Sequence, residues 1–200
     1  MNRTLQPEKR ERFLQVALKL FARNGIKQTS TAAIAREAGT AAGTLFLYFP
    51  TKQDLINELL LQIAREQSEY IQSRLNPEVS VQEAFFTIWQ GSIIWFLEHP
   101  NTYAFVQQTR HPRTVDPLIV KKSEQYFSYY YKTIQRGLNE KCIKDYPLDL
   151  VGGLLYQDIV AVMDLILGTN GDQKQSHYIQ TGFNIFWDGI KSFTATKPDP

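Results

Sequence analysis

Residues 29–55 read Thr29-Ser30-Thr31-Ala32-Ala33-Ile34-Ala35-Arg36-Glu37-Ala38-Gly39-Thr40-Ala41-Ala42-Gly43-Thr44-Leu45-Phe46-Leu47-Tyr48-Phe49-Pro50-Thr51-Lys52-Gln53-Asp54-Leu55. The stretch predicts two short helices about a tight turn, with a longer helix beginning behind them. A helix over Thr31–Ala38 opens on Ser30 or Thr31, hydroxyl residues that satisfy the orphan N–H groups of a first turn. Gly39 closes it, because glycine enters the left-handed conformation past a helix end without a Cβ clash. A second helix fits roughly Ala41–Leu47 and reaches Tyr48-Phe49-Pro50, with Thr40 placed to supply the cap that Ala41 lacks. Thr51, followed three residues later by Asp54, is a variant of the capping box. Ile34, Ala35, Ala38, Leu45 and Phe49 read as the small core of this unit.

Upstream, Phe13, Val16, Ala17, Leu20 and Phe21 follow the spacing of one apolar helical stripe, and Gly25 is placed to end it. Downstream, the helix from Thr51 runs toward Asn76-Pro77. Ser80-Val81-Gln82-Glu83 is a cleaner capping box, opening a helix that His99-Pro100 stops near Glu98. Asn101 is placed to cap a shorter helix to Arg110. Asp116-Pro117 puts a cap and a first-turn proline ahead of a segment ending near Lys141. An eighth helix fits Pro147–Leu167, ended by Gly168, and a ninth runs from Asp172 or Gln173 to Phe193. The tail Thr194–Pro200 reads as frayed. No run shows sustained alternation with hairpin turns, so the fold class is all-α, about nine helices.

Composition narrows the function. The lone Cys142 excludes an intrachain disulfide framework and a cysteine zinc site. No apolar stretch follows the first basic residues, so no secretory signal is expected. The apolar tract near Leu148–Leu167 is interrupted by Asp149, Gln157, Asp158 and Asp164, which argues against a membrane span. His99, His111 and His177 have no second ligand at helical spacing, and Asp158 and Asp164 point to different sides of one helix. No phosphate-cradling glycine loop, nucleophile elbow or HExxH motif is present. These observations predict a cytoplasmic non-enzyme with no cofactor and no metal.

Charge is distributed unevenly. Residues 1–52 carry nine Lys and Arg against three acids, while the other 148 carry thirteen against seventeen. A basic head on a mildly acidic body predicts a polyanion partner for the head. A helix–turn–helix over 31–47 can lay its second helix in a major groove while the first braces it.

The string Thr29–Leu55 resembles the DNA-binding segment of the TetR family of transcriptional regulators. The likeness lies in Ile34-Ala35, Ala38-Gly39, Gly43-Thr44-Leu45, Tyr48-Phe49, and Thr51-Lys52 with Leu55, and extends back through Phe21 and Gly25. The resemblance implies Arg36, Thr44, Tyr48 and Lys52 as the strongest DNA contacts, with the helix start at Thr31 adding N–H groups to phosphate. It implies a DNA-binding domain over 1–50 and a ligand-binding and dimerisation domain over 51–200, with 51–76 as connecting helix. The sequence departs from the family at Ala41, Ala42, Phe46 and Leu47, where hydroxyl, polar or basic, tyrosine and histidine side chains are common. Ala41, Ala42 and Leu47 offer only apolar contacts such as those to thymine methyls, so base readout is expected to be modest beside phosphate contacts and DNA shape. Gly43 is expected to permit close approach to another backbone.

Nineteen of 25 aromatic residues fall in 81–200. Most are core by default, yet together they exceed what a small bundle needs. By resemblance the middle helices enclose a small apolar or aromatic effector, lined by Trp89, Ile93, Phe105, Tyr126, Tyr130 and Tyr156. An anionic effector would call on Arg110, His111 and Arg113, which read instead as a solvated loop. The resemblance also implies that the last two helices form a four-helix homodimer interface through Leu154, Asp158, Ala161, Ile179, Phe183 and Phe186. Such a homodimer would present two heads to a palindromic double-stranded DNA operator. The alternative is a small-molecule-binding helical dimer, or an enzyme, whose head no longer reads DNA.

Overall fold

The computed structural model describes residues 6–110, 114–168 and 174–192. His111, Arg113, Asp172, Gln173, Phe193 and the tail Thr194–Pro200 lie outside the described residues. The described chain is helical: α1 Pro7–Asn24, α2 Thr31–Glu37, α3 Ala42–Tyr48, α4 Lys52–Gln72, α5 Val81–Glu98, α6 Pro100–Thr109, α7 Pro117–Glu124, α8 Ser128–Asn139, α9 Leu148–Gly168 and α10 Gln175–Ile190. A 3-10 turn, Gln125–Phe127, joins α7 to α8, so the single segment expected toward Lys141 is one bent run and the other helices stand singly. Among the described residues the only β-type pairing is one bridge, between Ile143 and Lys191.

Both capping boxes form. Asp54 accepts from the Thr51 N–H and hydroxyl at 2.9 and 2.8 Å, and Ser80 and Glu83 exchange bonds in the same way. The α6 start differs from expectation: His99, not Asn101, stands at the cap position, with no side-chain cap hydrogen bond, and Pro100 is the first helical residue. Proline has no N–H to satisfy in the first turn, so the helix begins two residues earlier than a cap at Asn101 would place it.

Packing divides the chain into two compact units, Met1–Glu66 with Glu98–Tyr126, and Gln67–Leu97 with Phe127–Pro200. In the first, α1 buries Phe13, Leu14, Ala17, Leu20 and Phe21, and the expected head core of Ile34, Ala35, Ala38, Leu45 and Phe49 is at most 2% exposed. Helix α6 lies against α1, with Phe105 stacked on Phe21 at 5.9 Å. Gln108 grips the α1 end from both sides. Its Nε2 donates to the Phe21 carbonyl (3.0 Å), and its Oε1 accepts from the Ile26 N–H (2.7 Å), across the break that Gly25 makes at φ +88°.

In the second unit Phe85 and Trp89 on α5 pack against Phe183, Phe186 and Trp187 on α10. The Trp89 indole N–H donates to the Ile179 carbonyl at 2.9 Å. Gly182 is the crossing point: a Cβ there would fall 2.6 Å from Val162 and 2.9 Å from Trp89. Burying side chains of this size contributes about 2–3 kcal/mol each, which makes the cluster the unit's main anchor.

Three of the residues expected at the interface take part in this packing. Ile179, Phe183 and Phe186 are at most 4% exposed in the single chain and pack in its core. On α9 the stripe Val151, Leu155, Ile159, Val162, Met163 and Ile166 is buried. Leu150, Leu154, Leu165 and Leu167 on the same helix, and Ile185 on α10, are about half exposed or more. By length and composition α9 is apolar enough to cross a membrane, and little more than a quarter of its most apolar stretch is buried.

Candidate functional site

The head's turn is set by local bonds. The Ser30 hydroxyl accepts from the Ala33 N–H at 3.1 Å, so the α2 cap is Ser30 rather than Thr31. At the other end Gly39 takes φ +71°, and its N–H and that of Thr40 return to the Arg36 and Ala35 carbonyls. The Thr40 hydroxyl donates to Ala35 as well (3.2 Å). Thr40 therefore finishes α2 and does not cap α3, which starts after Ala41 with no side-chain cap.

The outer side of α3 is open. Ala41, Ala42 and Gly43 are exposed, Phe46 and Leu47 are 43% and 60% exposed, and nothing lies within 4 Å of a Cβ built on Gly43. Gly43 thus makes no close approach inside the protein; the room it leaves is on the outside. Arg36 on α2 is exposed, and Thr31 and Thr44 are half-buried. The Arg12 guanidinium, unremarked in sequence, stands 3.4 Å from where a Gly39 Cβ would be and adds positive charge at the turn.

Tyr48 and Lys52 are held from behind. The Tyr48 ring tilts against Phe13 at 5.5 Å, and its oxygen accepts from the Gln6 N–H at 3.1 Å, which leaves the phenolic proton to donate outward. Lys52 Nζ donates to the Ile26 carbonyl and stands 5.8 Å over the Phe21 ring. Partial burial pushes its ammonium below the usual lysine range. Lys52 therefore ties the start of α4 to the loop after α1 with one N–H and has two left. Ile26, Lys52 and Gln108 meet at the end of α1 by contacts across 26 and 82 residues, a constellation with no local sequence signal.

The expected effector residues are distributed over both units. Phe105 and the partly exposed Tyr126 belong to the first; Trp89, Ile93, Tyr130 and Tyr156 belong to the second. Trp89 and Ile93 are fully buried in close packing. Tyr130 differs, being 7% exposed with a hydroxyl that meets no partner. Burial first, and the neighbouring Tyr131 second, push that phenol up, so it stays neutral and a donor. Leaving such a group unpaired costs about 1–3 kcal/mol. Two surface concavities, along Pro7–Gln15 of α1 and between Gln53 and Val115–Pro117, include none of the six expected residues. Among the described residues no group of three or more His, Cys, Asp or Glu could hold a metal ion.

Of the expected interface residues, Leu154 and Ala161 are exposed on α9, and Asp158 is partly covered, which raises its carboxyl.

Comparison with known proteins agrees with this geometry. The model of bacterial regulatory proteins of the tetR family matches residues 13–59, from α1 into α4. The HTH-type transcriptional regulator LuxR of Vibrio harveyi is 33% identical over 90 residues, 44% of this chain and 44% of LuxR, so the match spans under half of that relative. The HTH-type transcriptional repressor KstR2 of Mycobacterium tuberculosis is 23% identical over 152 residues, 72% of this chain and 74% of KstR2. Among solved structures, a tetR family transcription regulator from Shewanella sp. PV-4 superposes with a TM-score of 0.85 at 27% identity, covering 92% of this chain and 98% of that one. Residues 13–59 match the DNA-binding segment of the tetR family of bacterial regulatory proteins, and the chain shares its fold with a tetR family transcription regulator.

Proposed function

We propose that the chain is a cytoplasmic repressor that binds a palindromic duplex operator as a homodimer and is released by a small, largely apolar effector. The observation that carries this reading is the open outer side of α3, with Ala41, Ala42, Gly43, Phe46 and Leu47 exposed. In this reading residues 1–50 bind DNA, 51–76 connect, and the remainder of 51–200 binds effector and partner. Phosphates are held by Arg36, Thr44, the Tyr48 hydroxyl, the remaining Lys52 hydrogens and N–H groups at Thr31. Ala41, Ala42 and Leu47 meet base edges only through apolar contact, so affinity comes chiefly from charge and shape.

The dimer is supported by α9, whose apolar outer side needs cover in water. Its three carboxylates, Asp149, Asp158 and Asp164, make lipid a poor cover. A second copy meeting Leu154, Asp158, Ala161 and Leu165, with Ile185 from α10, is the better one. KstR2 is described as a ketosteroid regulator, in keeping with an apolar effector here. Release follows if effector binds the form of α4 that separates the heads better than it binds the DNA-bound form. Gln108 and Lys52 carry that movement to the end of α1.

The salt dependence of binding to duplex DNA tests the head. Affinity should fall steeply with salt, and Lys52→Ala should reduce the slope by about one. An unchanged slope removes Lys52 from the phosphate contacts.

A further inference from the structure

The side that α3 leaves open is apolar throughout. Its exposed residues are Ala42, Gly43, Phe46 and Leu47, with Ala41 just before the helix, and none carries a side-chain donor, acceptor or charge. Ala42 with Phe46, and Gly43 with Leu47, stand four apart and form two adjoining rows. The polar side chains nearby add no base-specific group. The Thr40 hydroxyl donates to the Ala35 carbonyl, and the half-buried Tyr48 has its oxygen on the Gln6 N–H. Thr44 is half-buried, and a hydroxyl that both donates and accepts separates no base from another. Residues 1–52 carry nine Lys and Arg against three acids, which favours a polyanion as the cover for this patch. In a major groove the base edges are hydrogen-bond donors and acceptors, and apolar side chains would strip their water without replacing it. The exception is the C5-methyl group of thymine.

We propose that Phe46 and Leu47 are specificity residues that read the C5-methyl groups of pyrimidines, so that the DNA this head selects is defined by where methyls stand in the major groove. The small Ala41, Ala42 and Gly43 let the helix come close to the base edges, and the two larger side chains reach the methyls. Nothing on this side tests the groups beside the methyl. 5-Methylcytosine therefore serves in place of thymine, and methylation of cytosine strengthens binding. Four residues of helix rise about 6 Å, close to two base-pair steps, so each head reads about two or three base pairs in this way. This inference rests on the operator-binding reading above and adds the chemical group that the operator presents.

Paired duplexes that differ by single methyl groups test it on the full chain. Sequences bound from a random duplex pool are resynthesised with deoxyuridine for thymidine, one position at a time, and affinities are read by fluorescence anisotropy. Removing the methyl at one or more positions of each half-site should weaken binding about three- to fivefold per methyl, the effect of losing one buried carbon. At such a position 5-methylcytosine opposite guanine should bind more tightly than cytosine opposite guanine by a similar factor. Phe46→Ala and Leu47→Ala, both at exposed positions, should bring the thymine-to-uracil ratio toward one. The proposal is overturned if uracil duplexes bind as tightly as thymine ones at every position, if methylated and plain cytosine bind alike, or if the doubly substituted protein keeps the preference. A pool that yields no bound sequence overturns the operator reading as well; a recovered site indifferent to methyls overturns this inference alone.

Discussion

Gly43 separates what the fold needs from what DNA binding needs. Nothing inside the protein requires a glycine there, since a Cβ would meet only open space. Gly43→Ala should therefore raise stability by up to about 1 kcal/mol through helix propensity, seen as a higher thermal midpoint. If the open side faces a duplex, the same variant should weaken DNA binding; equal or tighter binding would show that α3 faces elsewhere. The sequence carried the reciprocal bonds of Thr51 with Asp54 and Ser80 with Glu83 because each spans three residues. It misplaced Thr40, whose hydroxyl can serve either end of a turn, and found the α2 end the better acceptor only in three dimensions. Gln108 was illegible altogether: its partners, Phe21 and Ile26, are 87 and 82 residues away.

Among the elements, α9 and α10 show what periodicity can and cannot tell. The spacing of Ile179, Phe183 and Phe186 correctly marks a buried stripe, but burial within a unit and burial against a partner follow the same spacing. Only the packing of Trp89, Phe183 and Phe186 shows which applies. Gly182→Ala should push apart the α9–α10 crossing and the Trp89 ring, destabilising the protein by roughly 1–3 kcal/mol in denaturant titrations. Leu154→Glu, on the outer side of α9, should leave the monomer folded by circular dichroism yet shift sedimentation from dimer to monomer. A Leu154→Glu dimer as tight as the wild type would move the interface off this helix. The start of α5 has a pH signature. Bonds from the Ser80 hydroxyl and N–H hold the Glu83 carboxyl below the usual carboxylate range. Its contribution is complete above the unfolded carboxylate pKa and is lost as pH falls through the lower folded value. A Glu83 carboxyl resonance titrating at the ordinary carboxylate pKa would contradict that.

At the scale of the molecule, an all-α class and a helix–turn–helix head were legible because caps, glycines and apolar stripes are local signals that agree with one another. The grouping of α6 and α7 with the head helices was not, since it depends on Phe105 meeting Phe21 and on Gln108. The same distance separates the expected effector residues into two packing units, which no spacing rule could have foreseen. If the proposed homodimer presents two heads to one duplex, selection of bound sequences from a random duplex pool, repeated at two salt concentrations with the full chain, recovers a palindromic site held less tightly at the higher salt; a folded, dimeric protein that recovers no sequence at either salt would overturn the operator-binding reading.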